Sequence, residues 1–203
     1  MDINYTEASS LATIDRQIED GDRFLTPAQY EIIRQVIYHT ADFEYYSLLE
    51  FNQNPLSSGF KALATGSSIV VDVPEIQVSI VPQLQRTFGN SVYCCSTKGG
   101  NKLNKTRAVA GLENLASNYF NSIFAIGQDR SALITLIDLI KTEKINPSLA
   151  IATAPGFTDI DIKQYFKTAS IPAIYVNSPK GCATVASAII NSLVNLSWRA
   201  KNS

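Results

Sequence analysis

The sequence predicts an α/β fold: a single domain over residues 1–203, with a central, mainly parallel sheet flanked by helices. Three observations predict it. Five short apolar runs rich in β-branched residues (68–72, 91–95, 122–126, 149–153 and 173–176) are continuous rather than alternating, as strands covered on both faces are. Stretches with helical spacing lie between these runs, and strands alternating with helices argue for a parallel sheet. No internal repeat, low-complexity tract or long Pro/Ser linker divides the 203 residues, a length that suits one domain with a sizeable core.

Taken in order, the first strong element begins at Thr26-Pro27, where a hydroxyl caps a helix and proline occupies its first turn. Ile32, Ile33, Val36, Ile37 and Thr40 then share one face, so Pro27 to about Glu50 reads as one amphipathic helix or a pair. Leu56 to Ala64 reads as a short helix closed by Gly66. The strands follow, separated by helical patterns over Thr106–Tyr119, Arg130–Lys141, Asp159–Thr168 and Gly181–Arg199. In such sheets ligands gather beyond the carboxyl ends of the strands, which points to Asp72, Gly127 and the turn Ala154-Pro155-Gly156.

Composition excludes several function classes. Lys plus Arg number 17 against 18 Asp plus Glu, so there is no bulk basic field for nucleic acid. The longest apolar runs fall far short of the ~20 residues of a membrane helix. Met1–Glu7 is acidic and lacks the apolar core of a signal peptide, and the three cysteines have no zinc-like spacing. A reduced cytoplasmic protein is expected. The chain has neither a dinucleotide fingerprint nor a phosphate loop nor a nucleophile elbow, and one histidine cannot build a multi-histidine metal site, so no metal is expected. Cys94-Cys95 ends a buried run and reads as a pair of small core residues.

Two segments offer chemistry. Lys98, Lys102, Lys105 and Arg107 fall within ten residues. The lysines read as a solvated loop, and Lys98-Gly99-Gly100 as a flexible turn. Arg107 stands just inside a helix start after Thr106, where backbone N–H groups and a guanidinium converge on a carboxylate or phosphate, or else it is simply exposed. The second segment is Tyr38-His39-Thr40-Ala41-Asp42. On one continuous helix Gln35, His39 and Asp42 would share a polar stripe, with Asp42 able to reach back to the imidazole.

Together these segments resemble the precorrin-8X methylmutase (precorrin isomerase) family. The carriers are Arg34-Gln-Val-Ile-Tyr-His-Thr-Ala-Asp-Phe43, Ile69-Val-Val-Asp-Val73, Thr106-Arg107, Ala125-Ile-Gly127 with Ser131-Ala-Leu133, Pro155-Gly-Phe157, and Lys180-Gly181 before Ala188-Ile-Ile-Asn-Ser-Leu193. They run in order from about Ser10 to Asn195, nearly the whole chain. The resemblance implies a homodimeric, cofactor-free α/β isomerase of corrin-ring synthesis. Its substrate would be precorrin-8 or cobalt-precorrin-8, on which one methyl group moves from C-11 to C-12 by a [1,5]-sigmatropic shift. His39 or Tyr38 would supply a proton. Ser10, Gln35, Thr40, Asp42, Asp72, Thr106, Arg107, Gly127, Gln128, Ser131, Gly156, Lys180 and Gly181 would hold the carboxylate-rich macrocycle.

The chain also departs from the family. Laid without gaps on the family's Arg-Arg-Val-Ile-His-Ala-Thr-Gly-Asp, the histidine falls on Tyr38 and the second arginine on Gln35, with His39 one step later, about 100° around the helix. The family's Gly-Asn-Ala-Pro-Thr becomes Gly127-Gln-Asp-Arg-Ser131, its Glu-Ser-Lys is replaced around Ile162-Lys163, and Arg-Gly-Arg-x-Gly-Gly-Ser becomes Asn177-Ser-Pro-Lys-Gly-Cys-Ala183. These losses leave a second expectation beside the enzyme: a tetrapyrrole-binding or carrier protein that has lost catalysis.

Overall fold

The structure is a computed structural model and describes residues 5–18, 23–100, 104–156 and 160–202. The sheet has six strands: β1 (Leu49–Asn52), β2 (Ile69–Val71), β3 (Val92–Cys94), β4 (Ile123–Ile126), β5 (Leu149–Ala152) and β6 (Ala173–Val176). Their spatial order is β1-β6-β5-β4-β2-β3, all parallel except β1, which runs antiparallel to β6 with Leu49 opposite Val176.

The continuous hydrophobicity of the strands has a direct reading, because alternate residues feed two separate cores. Ile69, Val71, Ile123, Ala125, Leu149, Ile151, Ile174 and Val176 face one layer of helices. That layer contains α1 (Tyr5–Ile18), α2 (Pro27–Thr40), α4 (Pro55–Ala64), α5 (Pro74–Gln85) and α10 (Ala183–Asn202). Val70, Phe124, Ile126, Ala150, Ala152, Ala173 and Tyr175 face the other, made of α7 (Arg107–Ala116), α8 (Arg130–Lys141) and α9 (Ile160–Thr168). Two short helical turns, α3 (Tyr45–Leu48) and α6 (Cys95–Lys98), complete the set. Among the described residues no helix is long and apolar enough to cross a membrane.

Local signals set the helix ends. Thr26 and Gln29 form a reciprocal capping box, the Gln29 N–H donating to Thr26 Oγ1 (3.3 Å) and the Thr26 N–H to Gln29 Oε1 (2.9 Å), with Pro27 in the first turn. At the end of α4, Gly66 (φ 76°) donates to the Leu63 carbonyl and Ser67 to that of Ala62, the paired bonds of a Schellman turn.

Four elements lie outside the expected set. The helical pattern from Pro27 stops at Thr40, because Ala41 takes the left-handed conformation (φ 54°) and its N–H caps on Ile37. The chain then makes the α3 turn and enters β1, an edge strand whose alternation of Leu, Glu, Phe and Asn is too short to register as a strand signal. The α1 stripe of Leu11, Ile14 and Ile18 is buried at helical spacing, yet few apolar residues mark it. Helix α5 starts on Pro74 and contains Pro82, which masks its buried stripe of Ile76, Ile80 and Leu84. The fourth is the α6 turn.

Of the two glycines after α6, Gly99 is packed against backbone, whereas Gly100 is exposed. Gly99 is buried, and a Cβ there would stand 1.9 Å from the Arg107 carbonyl oxygen; one on Gly111 would stand 1.8 Å from that of Cys95. Two glycines thus let the α6 and α7 backbones touch. Cys94 and Cys95 are buried behind them as free thiols, as small core residues should be. Gly99→Ala and Gly111→Ala are each expected to lower unfolding free energy by about 3 kcal/mol or more, as overpacking against rigid backbone does. Gly100→Ala, with open space around its Cβ position, should be near neutral in the same urea titration.

Candidate active site

The candidate site is built at the carboxyl ends of the parallel strands. Strand β2 leads into Asp72, which is fully buried. Its carboxylate accepts the backbone N–H groups of Gly127 (3.0 Å), Gln128 (2.7 Å) and Asp129 (2.6 Å), the whole turn between β4 and α8. Burial pushes the Asp72 pKa up, and the three N–H donors pull against that shift. Asp129 in turn caps α8 by accepting from Ala132 N (2.9 Å). Gly127 sits where a Cβ would stand 2.7 Å from Ile76 Cδ1 and 3.0 Å from Ala183 Cα, so this turn also meets the first residues of α5 and α10.

The loop from β6 to α10 crosses the same end of the sheet. Pro179 O accepts from Gly156 N (3.0 Å), and Cys182 O accepts from Thr153 Oγ1 (3.2 Å). Gly181 has φ 136°, and a Cβ on it would stand 1.9 Å from Thr153 O. Lys180 reaches from this loop to the end of α2, its Nζ 2.7 Å from Asp42 Oδ2 and 3.0 Å from Glu44 Oε2. The hydrogen bond to Lys180 holds the Asp42 pKa below the ordinary carboxylate range and raises that of Lys180. Beneath the loop, Lys163 of α9 is 5% exposed and donates to the carbonyls of Ser178 (2.8 Å) and Lys180 (2.7 Å).

His39 lies on the last turn of α2, facing α10. It is shared by two hollows, one of about 130 Å³ reaching Glu75 and Ser79 of α5 and Thr184 and Ser187 of α10, the other of about 330 Å³ running along Asn191, Asn195 and Arg199. Although His39 is solvent-accessible, the protein walls around its ring push its pKa below the usual imidazole value, with Glu7 opposing. The neighbouring Tyr38 ring stands edge-on to it, centroids 5.1 Å apart. Thr40 is turned inward, donating to Val36 O (2.8 Å) and accepting from Asp42 N (3.3 Å). What converges here is His39 at a helix end, an ion-paired loop, and hollows lined by amides, hydroxyls, the carboxylates of Glu7, Glu31 and Glu75, and the Arg199 guanidinium.

A profile of the precorrin-8X methylmutase family matches residues 6–196. The chain belongs to that family. Among its methylmutase relatives, the cobalt-precorrin-8 methylmutase of Synechocystis sp. is 31% identical over 210 residues, covering 94% of each chain. That of Methanocaldococcus jannaschii is 35% identical over 179 residues, covering 86% of this chain and 83% of the relative. The solved precorrin-8X methylmutase of Thermus thermophilus superposes with a TM-score of 0.86 at 26% identity, over 97% of this chain and 99% of that one.

Within this methylmutase fold, two sets of the residues expected at the site come together and the rest lie apart. Asp42, Lys180, Gly181, Gly156 and Thr40 meet around the β6–α10 loop beside Tyr38 and His39. Asp72, Gly127 and Gln128 form the turn described above, in which the Asp72 carboxylate and the N–H groups of both partners are already engaged with one another. Asp42 lies beyond the end of α2 and turns to Lys180, not back to His39. Gln35 donates to Glu31 Oε1 (3.1 Å) in the larger hollow, and Ser10 donates to Thr6 O (3.0 Å) within α1. Thr106 caps α7 by accepting from Val109 N (3.1 Å), and Arg107 and Ser131 are exposed on the first turns of α7 and α8. Lys163 escapes sequence reasoning as a functional candidate, because nothing in Ile-Lys-Gln foretells a buried ammonium.

Two measurements test this geometry. Replacing Asp72 by Ala leaves three inward N–H donors without an acceptor and should cost about 3 kcal/mol or more of unfolding free energy. For Lys163, burial pushes the pKa down to about 8. The unfolded lysine titrates near 10.4, so between those values the unfolded chain holds a proton that the folded chain has released, and this group makes stability rise with pH by about 3 kcal/mol in total. The unfolding free energy of wild type minus that of Lys163→Met should therefore rise from pH 8 to about 10.4. A difference that stays flat would mean the ammonium is solvated.

Proposed function

We propose that this chain catalyses the methylmutase step of corrin-ring synthesis, an isomerisation that moves one methyl group from C-11 to C-12 of precorrin-8 or cobalt-precorrin-8. The observation that carries the reading is the family match over almost the whole chain, joined to a proton-bearing helix end at the carboxyl edge of the sheet. An intramolecular shift needs no external nucleophile. The protein has to hold the macrocycle in a reactive geometry and supply a proton to a favourable tautomer. Tyr38 and His39 are the groups for the proton. Lys180 lies between two carboxylates, so its part is to brace the end of α2, while Arg107, Lys98 and backbone N–H groups are left for the acidic side arms of the substrate.

The pKa of His39 decides how the proton can be delivered. Because it lies below the ordinary imidazole value, little imidazolium is present at pH 7. If His39 is the donor, the single-turnover rate rises as pH falls from 8 to 5, and His39→Ala abolishes that rise. If a phenol donates, the rate is flat over this range and Tyr38→Phe is the slow variant. If neither variant loses rate, the proton comes from elsewhere.

The direct test is anaerobic incubation of the purified protein with near-stoichiometric precorrin-8, followed in the visible spectrum. The expected outcome is conversion to the hydrogenobyrinate spectrum. A shifted but unconverted spectrum would favour a binding protein, a reading supported by Tyr38 standing where the family has its histidine. We further propose a cytoplasmic homodimer, on the family resemblance and on three cysteines that remain free thiols. A monomeric mass in sedimentation would remove the dimer.

A further inference from the structure

The β6–α10 loop is held from the far side of the sheet. Lys163 belongs to α9, in the helix layer opposite α2 and α10. It sends its ammonium under the loop to the carbonyls of Ser178 and Lys180 at 2.8 and 2.7 Å. No carboxylate pairs with it among the described residues. Lysine is rarely buried unpaired, because stripping water from an ammonium is costly and neutral carbonyls return only part of that cost. A neutral donor of similar reach would satisfy two carbonyls with far less desolvation. What the charge adds is stiffness, since charge-assisted hydrogen bonds are shorter and about twice as strong as neutral ones.

Among the described residues the segment reaches outward through Lys180. Gly156, Thr153 and Gly181 fasten its two ends to the end of β5. The residue between them, Lys180, extends to Asp42 and Glu44, just past the turn of α2 that carries Tyr38 and His39. The Lys180 carbonyl is thus fixed by one ammonium, while its own ammonium fixes the helix end. Polar contacts thus run from α9 through the loop to the residues just past the end of α2, the last of them a partly exposed ion pair.

We propose that Lys163 is a positioning residue for the methyl shift, holding the loop of Ser178 to Lys180 and, through Lys180, the end of α2 with Tyr38 and His39. The proposal rests on the methylmutase reading for the words "methyl shift" and on the geometry alone for the link. The Lys163 ammonium is spent on the two loop carbonyls. Its loss should therefore lower the rate of the bound complex and leave binding largely intact.

The test combines kinetics with amide hydrogen exchange on the full chain. Lys163→Met, which keeps the apolar stem, should lower the single-turnover rate by about a hundredfold, the scale of a misplacement near 1 Å. Affinity for hydrogenobyrinate, read from its spectrum, should change less than about threefold. Lys180→Met should give a similar loss, and the double variant should be no slower than the slower single one, since both act through one contact chain. Exchange should quicken at residues 178–182 and at 38–44 in Lys163→Met. Multiplying losses in the double variant, or a Lys163→Met rate within about twofold of wild type, would overturn the proposal. If the wild type converts no precorrin-8, the methylmutase reading fails by itself and exchange alone decides the link: unchanged protection at 38–44 sinks it. Should Lys163→Met not fold, Lys180→Met decides the same point, because unaltered protection at 38–44 there means the loop does not hold α2.

Discussion

The interaction on which the rest of the architecture depends is the buried Asp72 carboxylate under the turn of Gly127 to Asp129. Strands β2 and β4 are neighbours in the sheet, yet the chain leaves β2 for α5 on one face and β4 for α8 on the other. A crevice opens where such paths diverge, and it is the usual seat of a ligand in a parallel sheet. Here the crevice is filled by the protein's own anion. Three N–H groups that could have received a phosphate are spent on Asp72, which explains why a chain with this topology carries no phosphate loop. The same contact fixes the N-terminus of α8 and, through Gly127, the approach of α5 and α10.

With that crevice closed, chemistry moves outward to the helix layer. Around His39, α5 brings Glu75 and Ser79, and α10 brings Thr184, Ser187 and the amides of Asn191 and Asn195. The loop entering α10 is tied to β5 below and to α2 above. Lys180 of this loop is paired with Asp42 and Glu44, and Lys163 beneath it bonds two carbonyls, so the region is a braced polar corner. Such a corner suits an isomerisation in which the substrate rearranges itself and the protein supplies orientation and one proton.

Much of this was legible in the sequence, and the misses have physical causes. The five parallel strands and the helices from α7 to α10 are visible because both faces of the sheet are covered, so the apolar runs are unbroken. Strand β1 is invisible because it pairs on one side only and its polar positions make it resemble the tail of a helix. Helix α5 hides behind two prolines. At the site, the single histidine and the Thr106 cap are local features that sequence exposes directly. The Lys180 bridge to Asp42 and the Lys163 contacts span 138 and 17 residues of chain, and pairings of that kind have no local signature. Gly99 is the clearest misreading: a glycine pair suggests freedom, whereas the first of the two is there because another backbone occupies the space.

The margins of the sheet carry a last consequence. It ends in strands of four and three residues, β1 and β3. Glu50, within β1, is bonded to Arg23 (3.0 Å), and the Asn52 side chain is spent on the carbonyls of Phe166 and Ala169. Short borders, one of them marked by a charge, are poor templates for adding a foreign strand, so the protein resists the edge-to-edge growth through which exposed sheets aggregate.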